Sequence, residues 1–132
     1  MAPPGTWLIA ALLLGLALTR LVSYLFFHTL VETFTVAVGW SLFFLAWNAR
    51  RFLDHHYLLL VGIAALFVGG IDTLHLLAYK GMGVFPEADA DLPTQLWIAG
   101  RYLQSLAFLA APFFIRRKLQ TGMALGILAA AS

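Results

Sequence analysis

The sequence contains no cysteine and few charged residues, and both scarcities narrow what the chain can be. Without cysteine, disulfides and thiolate metal sites are excluded. Charged residues make up 11% of the 132 residues, whereas a soluble domain has about 25%. The formal net charge is only +2, and the basic residues form no stripe, so nucleic acid is not expected as a partner. The sequence also lacks H-E-x-x-H, G-x-S-x-G and a phosphate-binding glycine loop, so no enzymatic activity is expected in this segment.

Apolar residues are abundant where charged residues are few. They account for 62% of the chain, which makes membrane lipid the expected surrounding. Several runs approach the roughly 20 residues needed to span a bilayer. They predict an all-α, polytopic transmembrane bundle over 1–132, with four complete spans and a truncated fifth, at residues 6–23, 27–49, 57–79, 94–115 and 119–131. No Lys or Arg precedes the first run, so we expect a retained span and not a cleaved signal peptide.

The basic residues predict the orientation of the spans. Two lie between the second and third runs, Arg50 and Arg51, and three follow the fourth run at 116–118. The positive-inside rule places both segments in the cytoplasm. We therefore expect a multi-pass protein of the cell inner membrane with a cytoplasmic N-terminus and with loops 23–27 and 80–93 outside.

Ionisable side chains inside the predicted spans are the most informative feature of the sequence. The spans contain Glu32, Asp72, His75 and Arg101, and His28 lies at the mouth of the second. With a rise of about 1.5 Å per residue, the two carboxylates and the arginine lie about 8–10 Å from the outer ends, and the histidines roughly 2–6 Å. Burying such a group alone costs several kcal/mol. We therefore expect them to meet in the outer leaflet.

Four interpretations of this polar layer remain open. It can be a structural salt-bridge network in which Arg101 neutralises Asp72 or Glu32. It can hold a divalent metal ion through His28, Glu32, Asp72 and His75, because imidazole and carboxylate suit zinc and related metals. It can also form a pocket for a small ligand or a lipid headgroup. Two histidines on neighbouring helices are compatible with haem as well.

Two further patterns concern the third span. Small residues, Gly62, Ala65 and Gly69, continue the stripe of Asp72 and indicate close packing against another helix. At the start of this span, Asp54 precedes two histidines, and we expect it to cap the helix in a cytoplasmic turn.

Four segments together resemble a known family: FHTLVETF at 27–34, AWNARRFLDHHYLLLVGIA at 46–64, DTLHLLAYKGMGVFP at 72–86 and PTQLWIAGRYLQS at 93–105. They are similar to the third type of bacterial membrane-associated sensor domain, of the MASE group, over about 25–115. The resemblance implies a multi-span N-terminal domain joined to cytoplasmic histidine kinase, PAS or diguanylate cyclase modules. The residues that lie in the matching motifs are His28, Glu32, Asp72, His75, Tyr79, Lys80, Gly81, Trp97 and Arg101.

The expected function is therefore sensory. The domain would detect an unidentified stimulus at an outer-leaflet polar pocket and relay it to a kinase or cyclic-dinucleotide output module in cis, with a homodimer as a further partner to consider. Depth and helical phase point to a ligand-binding set of His28, Glu32, Asp72, His75, Tyr79, Lys80, Trp97 and Arg101. The alternatives are a transporter or ion-pathway fragment and a haem- or metal-binding membrane protein.

Overall fold

A computed structural model describes residues 3–86, 89–116 and 118–132 of the chain. Within these ranges every regular element is helical, which confirms the predicted all-α class. The elements are α1 at Pro4–Val22, α2 at Tyr24–Ala49, α3 at Tyr57–Ala78, α4 at Asp91–Ala110, a short 3₁₀ helix at Ala111–Phe114, and α5 at Thr121–Ala131.

Three of these helices, α1 to α3, are long and apolar enough to cross a membrane, with mean hydropathies of 1.8, 1.6 and 2.0 over their best windows. Helix α4 is not among them, although its 20 residues approach the spanning length. Its sequence contains Asp91, Gln95, Arg101 and Gln104, which lower its hydropathy. Helix α5 has 11 residues and is too short. The count of four spans and a partial fifth thus remains a prediction.

Helix α3 lies at the centre of the fold. It packs against α2 and α4, and the 3₁₀ helix and α5 also contact it. Its Leu59 and Ile63 are almost completely enclosed, and so is the carboxylate of Asp72. Helix α1 packs against α2 and leaves most of its apolar side chains exposed, as the surface of a lipid-facing helix would.

Small residues on α3 allow α2 to approach closely, as the sequence predicts. A Cβ atom added to Gly62 would lie 2.5 Å from the Cβ of Ala46, and one added to Gly69 would lie 2.7 Å from the Trp40 indole. No other residue fits these two positions without a shift of the neighbouring helix or side chain. The two helices thus interlock along the face that also carries Asp72.

The connection between α1 and α2 is shorter than the predicted loop 23–27. A single extended residue, Ser23, separates the two helices. Its hydroxyl oxygen accepts a hydrogen bond from the Phe26 N–H at 3.4 Å and so caps α2.

The predicted capping of α3 by Asp54 is wrong. The residue at the cap position is His56, and its side chain makes no capping hydrogen bond. Instead, its Nδ1 atom accepts a hydrogen bond from the Leu119 N–H at 3.1 Å. The His56 N–H donates to the Phe114 carbonyl, also at 3.1 Å. The start of α3 is therefore fastened to the segment between α4 and α5, which a local capping rule cannot foresee.

Candidate functional site

The most buried charge in the described chain is Asp72, which is 2% exposed and forms an ion pair with Arg101. The Arg101 Nη2 atom donates to both carboxylate oxygens, at 2.6 and 2.5 Å, and its Nη1 donates to the Gln104 amide oxygen at 2.9 Å. Of the two carboxylates predicted as partners of Arg101, the structure selects Asp72. The pair joins α3 to α4 and neutralises a charge that would be very costly to bury alone.

Helix α4 can reach this position because Gly100 faces α3. A Cβ atom there would lie 3.3 Å from the Asp72 Oδ1 atom and 3.5 Å from the Ile71 side chain. A larger residue would push the two helices apart where the ion pair forms. Between α2, α3 and α4 a cavity of about 170 Å³ remains, lined mostly by apolar residues, with Asp72, Arg101 and Gln104 among the polar ones.

A second link between α3 and α4 fixes the orientation of His75. Its Nδ1 atom lies 2.7 Å from the Pro93 carbonyl oxygen in the first turn of α4. A carbonyl oxygen can only accept, so Nδ1 carries the proton and donates it. In the neutral imidazole the Nε2 atom then keeps its lone pair. The side chain is buried, so this tautomer is held inside the protein.

Two side chains of α2, His28 and Glu32, lie next to this histidine. One ligand atom each from His28, Glu32 and His75 lie within 4.8 Å of one another, and we call these residues the histidine cluster. The rings of the two histidines are 5.5 Å apart and nearly perpendicular. The His28 Nε2 atom is buried, and no described residue provides a hydrogen-bond partner for it. The spacing of four between His28 and Glu32 puts both on one face of α2.

Tyrosine side chains cover His28. The Tyr79 ring, directly after α3, lies 3.9 Å from the His28 ring between centroids, and the Tyr24 ring lies 6.2 Å away on α2. The Tyr79 hydroxyl can donate or accept a hydrogen bond next to this histidine.

The loop after α3 turns back over the first turns of α2. Gly81 has φ +102°, a conformation that favours glycine, and a Cβ atom there would lie 3.1 Å from the Leu25 side chain. The Thr29 hydroxyl lies 3.7 Å from the Met82 sulfur. This loop keeps Tyr79 close to the histidine cluster.

The structure thus separates the eight predicted ligand-binding residues into groups. The histidine cluster and Tyr79 lie together, while Asp72 and Arg101 pair one turn away. Lys80 is exposed and lines a separate recess of the loop. Trp97 is 46% exposed on α4, beside Arg101 in a shallow cleft.

Sequence reasoning did not select two participants, namely the Pro93 carbonyl and Tyr24. A backbone carbonyl has no sequence signature. The spacing of three between Arg101 and Gln104 predicts that both side chains lie on one face of α4, and the structure joins them by a hydrogen bond. Tyr24 could have been selected by its spacing of four from His28.

Comparison with known proteins identifies the family. The model of a membrane-associated sensor domain, MASE3, matches residues 19–132, which include the end of α1, all later helices and the whole candidate site. No curated protein and no solved structure is significantly similar to the chain. The family has transmembrane helices, in agreement with the apolar helices α1 to α3, and a sensor domain is not itself catalytic. The match covers most of the chain, which therefore belongs to the MASE3 family of membrane-associated sensor domains.

Proposed function

We propose that the chain is the sensory input domain of a bacterial inner-membrane signalling protein. It detects its stimulus at the polar groups where α2, α3 and α4 meet, and it controls a cytoplasmic histidine kinase or diguanylate cyclase module in cis. Membership of the sensor family supports the sensory role. The output module and the inner-membrane location follow from the resemblance and the charge pattern.

The observation that carries the proposal is the pair of links between α3 and α4. Both links, Asp72 to Arg101 and His75 to Pro93, join helices that also share an extensive apolar core. Polar groups at this depth are expensive and typically functional. A stimulus that contacts them changes the balance between two packings of the same helices, which is how a ligand shifts an equilibrium.

Helix α3 provides a route for relaying that change. Its C-terminal part carries Asp72 and His75, and its N-terminal end is fastened through His56 to the Leu119 amide just before α5. A displacement of α3 relative to α4 would therefore move the segment that leads into α5. An output module in cis would be reached through that helix.

The membrane arrangement belongs to the same proposal. We place the N-terminus and the two Arg-rich segments in the cytoplasm. Helix α4, continued by the 3₁₀ helix, then crosses as a fourth span, with Arg101 turned towards Asp72 and away from lipid. Lipid covers the exposed apolar side chains of α1.

The natural full-length protein in proteoliposomes provides the test. We expect Arg101→Gln to fix kinase or cyclase activity at one level, because it removes the charge that pairs with Asp72. The matched control Arg20→Gln, at an exposed residue at the end of α1, should leave the output like that of the wild type. A full-length protein without a signalling module would overturn the proposal. Ion or solute flux that requires the Asp72–Arg101 pair would favour a transporter instead.

A further inference from the structure

We propose that the histidine cluster, His28, Glu32 and His75, binds a divalent transition-metal ion of the zinc class. The inference rests on the proposed sensory function, since it names the ligand of that site. The proposed ligand set differs from the set expected from the sequence in that it does not include Asp72.

The three ligand atoms are already close together. One ligand atom from each residue lies within 4.8 Å of the other two. In a tetrahedral zinc site with bonds of about 2.0–2.1 Å, ligand atoms lie about 3.4 Å apart. Small side-chain rotations and a slight approach of α2 to α3 would close that difference. The ligands come from two packed helices, α2 and α3, as in other metal sites within bundles.

The donor atoms of the histidine cluster suit zinc. Two imidazoles and one carboxylate form the set typical of zinc sites that keep a fourth position open for water or another ligand. The absence of cysteine removes the thiolates that would favour copper(I) or an iron–sulfur cluster. A carboxylate beside both histidines also favours a bare ion over haem iron, whose axial ligands here would be the two histidines alone.

His75 already has the tautomer of a metal ligand. Metal-binding histidines almost always donate their second ring N–H to a carbonyl or carboxylate, which fixes the tautomer. The Nδ1 atom of His75 makes such a bond with the Pro93 carbonyl at 2.7 Å. Its Nε2 lone pair is therefore free for an ion.

His28 carries a ring nitrogen without a hydrogen-bond partner among the described residues. The His28 Nε2 atom is buried, and within the described residues it has no hydrogen-bond partner. Buried polar atoms are normally bonded, and an exception calls for an explanation such as an absent ion. A metal ion at the centre of the histidine cluster would supply the missing partner.

Asp72 is excluded by its own contacts. Both of its oxygens accept hydrogen bonds from the Arg101 Nη2 atom, so the carboxylate is committed to that pair. Among the described residues of the histidine cluster, Glu32 is then the carboxylate that would offset the charge of the ion. Because Arg101 holds Asp72, three protein ligands remain, which leaves a fourth position for water or another ligand.

Metal binding would connect three helices. His28 and Glu32 belong to α2, His75 belongs to α3, and the Pro93 carbonyl begins α4. An ion held by the first three residues would pull α2 towards α3 and tighten the His75 contact with α4. The same ion would thus favour one helix packing, as a sensory ligand must.

Zinc titration of the detergent-purified protein tests the inference. After treatment with a chelator, the wild type should bind one Zn²⁺ per chain by calorimetry and elemental analysis. His28→Ala, Glu32→Gln and His75→Ala should each weaken binding by at least about tenfold. His55→Ala and His56→Ala should bind like the wild type. Circular dichroism and thermal unfolding without metal would show that each variant is folded.

Several results would overturn the metal site. A folded wild type that takes up neither Zn²⁺ nor Cu²⁺, Ni²⁺ or Mn²⁺ would do so, and equal affinity in the three cluster variants would as well. Binding that disappears with His55→Ala or His56→Ala would place the ion at the turn before α3. Each result would leave the sensory proposal intact, because that proposal is decided by the output of the full-length protein.

Discussion

The two ends of α3 each carry a histidine bound to the backbone of a neighbouring segment, but the proton is placed oppositely. Near the C-terminal end, His75 Nδ1 donates to the Pro93 carbonyl. Just before the N-terminal end, His56 Nδ1 accepts from the Leu119 N–H. The first histidine therefore needs a proton on Nδ1, and the second must have none there.

The position of the proton indicates a ligand-binding role for His75 and a structural role for His56. Nε2 of His75 keeps a lone pair, and one ligand atom of this residue lies within 4.8 Å of one atom each of His28 and Glu32. The Nδ1 lone pair of His56 is already used, and in the neutral ring its other nitrogen carries the proton. Histidine in an apolar protein is therefore not by itself a sign of a metal site. His75 and His56 differ in the group bound to Nδ1, which is a carbonyl for His75 and an N–H for His56. They also differ in the side chains that surround each ring.

Labelling from outside the cell gives the largest expected effect, because the account puts the two ends of α3 on opposite sides of the membrane. The chain has no native cysteine, so single cysteines can be introduced cleanly. Asp89→Cys should react with an impermeant thiol reagent in intact cells, and Arg51→Cys should not. Both residues are exposed, so each should react after permeabilisation. Labelling of position 51 in intact cells would contradict the proposed orientation.

Removal of the guanidinium should be the most destabilising single change at the C-terminal end. Arg101→Leu leaves Asp72 buried without a partner, which should lower the free energy of unfolding by about 3–5 kcal/mol. The double variant Asp72→Leu/Arg101→Leu should recover most of that loss, since an apolar pair can replace a buried ion pair. Reversible unfolding in mixed micelles would measure both. If Arg101→Leu alone costs no more than an exposed Arg20→Leu, the ion pair is not structural.

Close packing against α2 should make Gly62 of α3 sensitive to substitution. Gly62→Ala would bring a Cβ atom to 2.5 Å from the Ala46 Cβ atom, and overpacking of this kind costs about 1–3 kcal/mol. Gly70→Ala is the matched control on the same helix, because its Cβ atom would meet nothing within 4 Å. It should be neutral or slightly stabilising, since alanine favours a helix. Equal effects of the two substitutions would argue against the tight α2–α3 contact.

Replacement of His56, which binds the Leu119 N–H, should have the smallest effect. His56→Ala removes the acceptor of the Leu119 N–H, which is worth about 1 kcal/mol. Hydrogen exchange of that amide should then be roughly fivefold faster. The exposed neighbour provides the control, as His55→Ala should leave the exchange rate unchanged. An unchanged rate in His56→Ala would remove this contact from the proposed relay.

The sequence was sufficient to predict the helical class and the approximate helix positions, because apolar runs near the spanning length are a strong signal. It also placed Asp72 and Arg101 at similar depth, and the structure brings them together. It could not predict which carboxylate Arg101 would select, because Glu32 lies at nearly the same depth. That choice depends on the rotation of each helix about its axis.

Contacts between distant segments could not be predicted from the sequence. The Leu119 N–H bound by His56 is 63 positions away, and the Pro93 carbonyl bound by His75 is 18 positions away. Neither partner group differs from any other peptide group in the sequence. The same lack of information explains the wrong assignment of Asp54 as a cap, since local capping preferences ignore a tertiary partner.

The central claim is that a ligand in the histidine cluster changes the output at the other end of the domain. The most direct test adds Zn²⁺ to the outer face of proteoliposomes that contain the natural full-length protein and measures kinase or cyclase activity. We predict a saturable change in the wild type and in His55→Ala, and none in His28→Ala or His75→Ala. Unchanged activity in a wild type that demonstrably binds zinc would contradict the claim, and so would a full response in the His75 variant.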